Sequence, residues 1–220
     1  MEKNKNFVNS LFEQRWLGRQ SYEEGLHYQE KLIAQKVAGD ANNYLLLLEH
    51  EPVYTMGRTQ DTSSLGTEVL PHPLHRIGRG GQATYHGPGQ LVCYPIIDLH
   101  LLGCDLHRYL RLLEEVIIKT LQHYSIVGER KEGMTGVWVK GRKIASLGVG
   151  VRKWMSLHGL ALNVCCDLSP FKKITPCGLQ DVEMTSLEQE LLRANKDSVV
   201  PSVEEVAERL GAIFVAMMNA

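Results

Sequence analysis

The chain has 220 residues, with 24 Lys plus Arg against 25 Asp plus Glu, a formal net charge of −1 and 44% hydrophobic residues. That length supports one compact domain, or two lobes sharing a core, but not two ordinary domains. The charge balance excludes a polybasic nucleic-acid binder working through bulk charge, though not a local basic patch.

The opening residues, MEKNKNFVNS, hold no apolar signal region and too little Arg for a clear transit peptide. Ser21-Tyr-Glu-Glu24 is a capping box, with Ser21 at the N-cap and Glu24 three residues on, and it predicts a helix to about Ala38. Leu26, Leu32, Ile33 and Val37 recur there at roughly helical spacing. Residues 43–49 are a leucine run between polar residues, which suits a buried strand. Pro52 precedes a second short strand over 53–57, and 59–76 read as a loop with one short strand at its end. Residues 91–98 read as a strand. Asp105 can cap a helix over about 106–124 with Leu110, Leu113, Ile117 and Leu121 on one stripe. Strands follow over 135–139, 143–151 and 155–164, with Lys140-Gly141-Arg142 as the turn between the first two. Beyond a proline-marked loop, Ser202-Val-Glu-Glu205 is a second capping box that starts a final amphipathic helix. This order predicts a mixed α/β sheet domain.

Five cysteines, an odd number, read as reduced thiols in a cytosol-like compartment. The longest apolar runs fall far short of the roughly 20 residues that span a bilayer, so no membrane partner is expected. No C-x-x-C pair supports structural zinc. His100, Cys104 and His107 would share one side of a continuous helix, but Gly103 interrupts the segment and Asp105 reads as a cap. His72 and His75 lie in a proline-containing loop. No metal site is expected at either place.

Three segments carry chemistry. Arg79-Gly-Gly-Gln-Ala-Thr-Tyr-His-Gly-Pro-Gly-Gln90 is rich in glycine, which costs backbone entropy and lets N–H groups approach a ligand closely. No Gly-Lys-Ser/Thr follows, so it is not a phosphate loop, and a tight structural turn is the plainer alternative. Lys143 opens Lys-Ile-Ala-Ser-Leu-Gly148, a run that enters the fold. Such a lysine usually snorkels to the surface, but drawn into a cleft it becomes a tunable proton carrier. Cys177, in Thr175-Pro-Cys-Gly-Leu179, is fixed by proline and flanked by glycine, the setting for a reactive thiol. Cys93, Cys165 and Cys166 read as packing residues.

These segments resemble the lipoyl(octanoyl) transferase family, from about Leu17 to Leu187. The resemblance runs through His50-Glu-Pro-Val-Tyr-Thr-Met-Gly57, Arg79 to Gln90, Thr135-Gly-Val-Trp-Val139 and Lys143 to Gly148. It continues in Ser156-Leu-His-Gly-Leu-Ala-Leu-Asn163, Leu168-Ser-Pro-Phe171 and Pro176-Cys-Gly-Leu179. It implies the mixed α/β fold shared with biotin and lipoate protein ligases, in a single catalytic domain over 1–220. It also implies Cys177 as the acyl-thioester nucleophile and Lys143 as the group that tunes its ionisation. Arg79, Gly80, Gly81, Gln82, Ala83, Thr84, Tyr85 and His86 are implied to line the substrate site, with Ser146, Leu147, Gly148, Gly159, Leu160 and Ala161. His86 and His158 are proton carriers or, better, groups that orient others. Cys165-Cys166 and residues 59–75 and 190–200 depart from the pattern.

The implied reaction moves an octanoyl group from acyl carrier protein to a lysine of lipoyl domains, those of 2-oxoacid dehydrogenases and the glycine cleavage carrier protein. Thioester to amide is downhill, so no cofactor, ATP or metal is expected. An eight-carbon tail in an apolar slot contributes roughly 5 kcal/mol at ~0.8 kcal/mol per methylene. A cytoplasmic monomer with no nucleic-acid partner is expected, with the mitochondrial matrix as the alternative location. An ATP-dependent lipoate or biotin ligase of the same fold is the alternative enzyme, and a non-catalytic module that binds acylated carrier domains is the alternative outside catalysis.

Overall fold

The structure is a computed structural model that describes residues 6–9, 12–58, 62–65, 69–174 and 182–219. Eleven strands form among them: β1 (Asn6–Asn9), β2 (Phe12–Gln20), β3 (Asn43–His50), β4 (Val53–Met56), β5 (Leu74–Arg76), β6 (Ala83–His86), β7 (Gln90–Ile96), β8 (Glu129–Lys131), β9 (Met134–Val139), β10 (Arg142–Arg152) and β11 (Met155–Asn163). Four helices join them: α1 (Tyr22–Val37), α2 (Leu106–His123), α3 (Leu187–Ala194) and α4 (Val203–Met218). The large sheet has the order β1-β2-β3-β7-β11-β10-β9-β8, and β5-β4-β6 form a small one. Both parallel and antiparallel pairs occur, β2 running parallel to β3 and β7 antiparallel to β11. The expected mixed α/β architecture is the one observed.

Strand β3 shows why the leucine run is continuous. Leu46 and Leu48 join the core of one sheet face, with Leu32 and Ile33 of α1. Leu45 and Leu47 join the other core, with Leu113 and Ile117 of α2 and Leu210 and Phe214 of α4. A strand covered on both faces needs apolar side chains in both directions. Each such leucine contributes about 1.5–3 kcal/mol on burial.

Both capping boxes form as the sequence predicts: Ser21 Oγ accepts from Glu24 N–H at 3.2 Å, and Ser202 Oγ from Glu205 N–H at 3.2 Å. Asp105 caps α2 through the N–H groups of His107 and Arg108. The turn at Lys140–Gly141 has both residues at positive φ, as a two-residue hairpin requires. Other expectations change. Val37 is exposed and Leu26 half-buried, while Gln29 and Lys36 are buried in their place. On α2, Tyr109 takes the buried position expected of Leu110, which is half-buried. Residues 83–86, read as part of a glycine-rich loop, form β6, paired antiparallel with β4. Strands β1, β2 and β8 and helix α3 have no counterpart in the sequence reading.

Candidate active site

A cleft holding about 480 Å³ of empty space, continuous with solvent, is lined from both sheets. From the expected segments it takes Arg79, Gly81, Gln82, Ala83, Thr84 and His86, then Ser146, Leu147 and Gly148 of β10, and Gly159, Leu160 and Ala161 of β11. Gly80 and Tyr85 do not line it. Gly80 ties the small sheet to the large one, its N–H donating to Val149 O at 2.9 Å. Tyr85 packs into the small sheet's own core with Tyr54 and Phe171, at ring separations of 5.3 and 5.6 Å. Tyr22, Ile77 and Tyr94 line the cleft without having been anticipated. Tyr22 follows a helix cap and Tyr94 sits mid-strand, so nothing in their local sequence separates them from core aromatics. The Tyr22 hydroxyl is buried and has no hydrogen-bond partner among the described residues.

Arg79 is buried and spans the two sides. Its Nη2 donates to the Thr55 carbonyl and hydroxyl, both at 2.9 Å, and its Nη1 donates to Gly80 O at 2.9 Å. The glycine at 148 makes this possible, since a Cβ there would stand 2.7 Å from Arg79 Cδ. Next to Arg79 the site holds neutral imidazoles. Burial pushes His86 down to about 3, with the charges of His50 and Arg79 acting in the same direction. Burial and the Arg79 and Arg58 charges push His158 down to about 4. His86 has both nitrogens engaged: Nδ1 with Gln90 Oε1 at 2.8 Å and Nε2 with Thr55 Oγ1 at 3.3 Å. As Gln90 Oε1 only accepts, Nδ1 carries the proton and Nε2 takes the hydroxyl's. These contacts suit an orienting role better than proton shuttling. His158 sits on β11 at φ 57, a left-handed conformation that costs an L-residue about 1–2 kcal/mol. Its N–H is held by Gln29 Oε1 of α1 at 2.7 Å, which explains why α1 buries a glutamine.

Lys143 is not a snorkelling surface lysine: it is 1% exposed on β10, three residues before the cleft begins at Ser146. Its Nζ lies 5.5 Å from the centre of the Trp138 ring. Its backbone is gripped on both sides. Lys143 N–H donates to Glu183 O at 2.8 Å, and Thr185 N–H donates to Lys143 O at 2.9 Å, a parallel bridge between Lys143 and Met184. Cys177 lies outside the described residues, which resume at Val182.

The other cysteines are free: Cys93 and Cys166 are buried, as expected of packing residues, but Cys165 is exposed. The backbone of this pair packs on Gly89, whose Cβ would stand 2.8 Å from Cys165 C and from Cys166 Cα. Burial pushes the Cys166 thiol up to about 12. Gly103 and Cys104, both at positive φ, break the segment carrying His100 and His107, and His100 Nδ1 lies 2.6 Å from Asp98 Oδ1. His75 contacts Glu23 at 3.2 Å, and His72 stacks on Tyr54. Among the described residues no group of three or more His, Cys, Asp or Glu is placed to hold a metal ion. None of their helices is long and apolar enough to cross a membrane.

Residues 21–215 match the family model for the lipoyl protein ligase A/B catalytic domain. An octanoyltransferase of Geotalea uraniireducens is 45% identical over 203 residues, 92% of this chain and 91% of that one. An octanoyltransferase of Geobacter sulfurreducens is 50% identical over 181 residues, 81% of this chain and 75% of the relative. In fold, the chain is similar to a putative lipoate protein ligase of Thermoplasma acidophilum with bound lipoic acid, with a TM-score of 0.70 and 19% identity over 94% of this chain and 85% of that one. It is also similar to a biotin protein ligase of Aquifex aeolicus, with a TM-score of 0.54 and 13% identity over 94% and 70% of the two chains.

Proposed function

Since the chain belongs to the lipoyl protein ligase A/B catalytic domain family, we propose that it is an octanoyltransferase acting as one catalytic domain. Its donor is octanoyl-acyl carrier protein and its acceptor the lysine ε-amine of a lipoyl domain. The observation that carries this reading is convergence on one cleft. Three separate segments, 79–86, 146–148 and 159–161, meet there, and Lys143 is buried just beyond on the same strand as the second.

The chemistry runs in two halves. A free cysteine titrates near ~8.5, so little thiolate exists at neutral pH. An ammonium within about 4–6 Å lowers that by ~1–3 units. With Lys143 charged, the Cys177 thiolate attacks the octanoyl carbonyl, and the C–S bond to the carrier's pantetheine breaks. Lys143 gives its proton to the departing sulfur and becomes neutral. It then takes a proton from the incoming lysine ammonium, whose amine attacks the acyl-enzyme. The Cys177 thiolate leaves, the attacking nitrogen releases its second proton to solvent as the amide forms, and the protonated Lys143 is restored. The apolar parts of Leu147, Leu160 and Ala161 offer the octanoyl tail its contacts. Discrimination of only ~1–3 kcal/mol per methylene makes chain-length preference graded. In the same cleft the Arg79 guanidinium supplies a fixed positive charge and the neutral His86 and His158 supply dipoles.

Intact-protein mass spectrometry after incubation with octanoylated carrier protein, without ATP, tests the proposal. Wild type should gain one octanoyl group and pass it to a lipoyl domain. Cys177→Ser should do neither, while Cys93→Ala, Cys104→Ala, Cys165→Ala and Cys166→Ala retain both. An adduct on Cys177→Ser, or transfer that needs ATP, overturns it.

A further inference from the structure

A buried chain of side-chain hydrogen bonds leads from the cleft wall to the segment that grips Lys143. Gln90 is its first switch: Oε1 accepts from His86 Nδ1 at 2.8 Å, while Nε2 donates to Asn163 Oδ1 at 2.9 Å. Asn163, at the end of β11, then donates through Nδ2 to Thr185 O at 2.9 Å. Gln90 and Asn163 are each 1% exposed and Thr185 is fully buried. From the far side, Glu190 accepts from the Thr185 hydroxyl at 2.5 Å and holds Arg142 at 3.0 and 2.9 Å. The residue that Asn163 holds by its carbonyl oxygen is Thr185, and the N–H of that same residue donates to Lys143 O.

We infer that Asn163 is a positioning residue: its amide locks the 183–185 segment to Lys143 and fixes both relative to the His86 side of the cleft. The inference rests on the reading of Lys143 and Cys177 as the reacting pair. An amide fits this place because one side chain must accept from Gln90 and donate to a carbonyl at once. A carboxylate only accepts, and a serine hydroxyl, which can do both, has a single oxygen on a shorter stem where the amide offers a separate oxygen and nitrogen to the two partners. Segment 182–186 follows directly on the stretch that carries Cys177, so an error in its register against β10 displaces the lysine, the cysteine's chain, or both. Losing near-attack geometry by about 1 Å lowers turnover by up to ~100-fold.

The test compares Asn163→Ser, which leaves room for water, with Asn163→Asp, which keeps the acceptor for Gln90 but removes the donor to Thr185. Either serves if the other does not fold. Three readouts are taken on folded full-length protein. In octanoyl transfer, kcat should fall at least about tenfold while KM for the donor stays within about threefold. Hydrogen exchange at the Lys143 and Thr185 amides should quicken at least about tenfold, with β3 and β7 amides unmoved. Melting temperature records any global effect separately. Unchanged exchange at those two amides, or a kcat equal to wild type in a folded variant, overturns the inference. If instead wild type forms no acyl-enzyme, the catalytic reading fails, and the exchange result still decides whether Asn163 holds the segment.

Discussion

Gly136 leaves open the space through which the Lys143 side chain runs: a Cβ placed on it would stand 2.7 Å from Cε and 3.3 Å from Nζ of that lysine. The same Cβ would meet Ala145 O at 2.8 Å, and the residue sits at φ 136, which side chains rarely adopt. Its N–H is held by Glu114 Oε1 of α2 at 3.2 Å, and Glu114 is itself paired with Arg111 and Arg130. The seat of the proposed catalytic lysine is therefore built on a neighbouring strand and secured by a helix. Gly136→Ala should lower octanoyl transfer by at least about tenfold, because a displaced ammonium loses its geometry. Kinetics measured beside a melting curve check this. Activity equal to wild type in the folded variant would refute the steric argument.

Removing the charge while keeping the stem tests Lys143 more directly. In Lys143→Met the Cys177 thiol should titrate higher, towards ~8.5 or above it in an apolar setting. Each unit corresponds to ~1.36 kcal/mol of differential interaction. The pH profile of iodoacetamide alkylation at Cys177 reads it. Transfer should fall further than alkylation, since the second half-reaction also loses its base. Superimposable profiles would separate the two residues.

The basic residues around the site divide into two groups. Arg79 is buried on Thr55, away from the surface a partner would meet, and Arg142 is neutralised in a two-point contact to Glu190. Arg58, Arg76, Arg152 and Lys153 are exposed. An acidic carrier protein should be steered by these four, and its KM should rise between low salt and 0.3 M, where screening acts within less than about 8 Å. Hydrolysis of a small octanoyl thioester should change little. Equal salt sensitivity for both donors would remove steering from the account.

Acid should destabilise the protein through its interior histidines. His50, His86 and His158 are pushed down to about 4, 3 and 4 from an ordinary 6.5, burial being the first cause in each. With folded values depressed, the unfolded chain takes up protons first as pH falls below ~6.5. Stability is thus full above that value and is lost towards pH 3–4, each histidine contributing up to ~1.4 kcal/mol per pH unit in the window. Melting temperature followed from pH 7 to pH 4 checks the slope. His86→Gln should flatten it in part, whereas an unchanged slope in that variant would point to the carboxylates instead.

What could be read from the sequence was whatever left a local chemical mark. Ser21 with Glu24, Asp105, and Ser202 with Glu205 announce helices because a cap is satisfied within four residues. Strand β8, Glu-Arg-Lys, is an exposed edge with no apolar side chain at all, and β2 carries polar residues on a half-buried strand with an irregularity between Trp16 and Arg19. Helix α3 has only eight residues, too few for its period to stand out after the Ser186 cap. Strand β6 was hidden by the glycines on either side of it. In the site, the three segments were legible as motifs, yet their meeting depended on pairings such as Gly148 with Gly159, which no local rule dictates. Gln90, Asn163 and Thr185 could not be found from spacing, since their contacts span 73 and 22 positions.

The leucines of β3 serve two cores equally well, and this leaves their alignment degenerate. Sliding the strand by one residue would exchange the faces of Leu45 to Leu48 and still bury leucine in both, whereas a half-polar strand would be penalised at every position. Fidelity of pairing must come from the strand's ends. Asn43 Oδ1 accepts from Lys36 Nζ at 3.0 Å and from Asp98 N–H at 3.1 Å. Glu49 Oε2 accepts from Gly89 N–H at 2.5 Å, and His50 Nε2 meets Tyr94 OH at 2.8 Å. These polar termini act as indexing pins: they single out one alignment among several of similar burial, and the cleft residues carried by β7 and β11 inherit their placement from that choice.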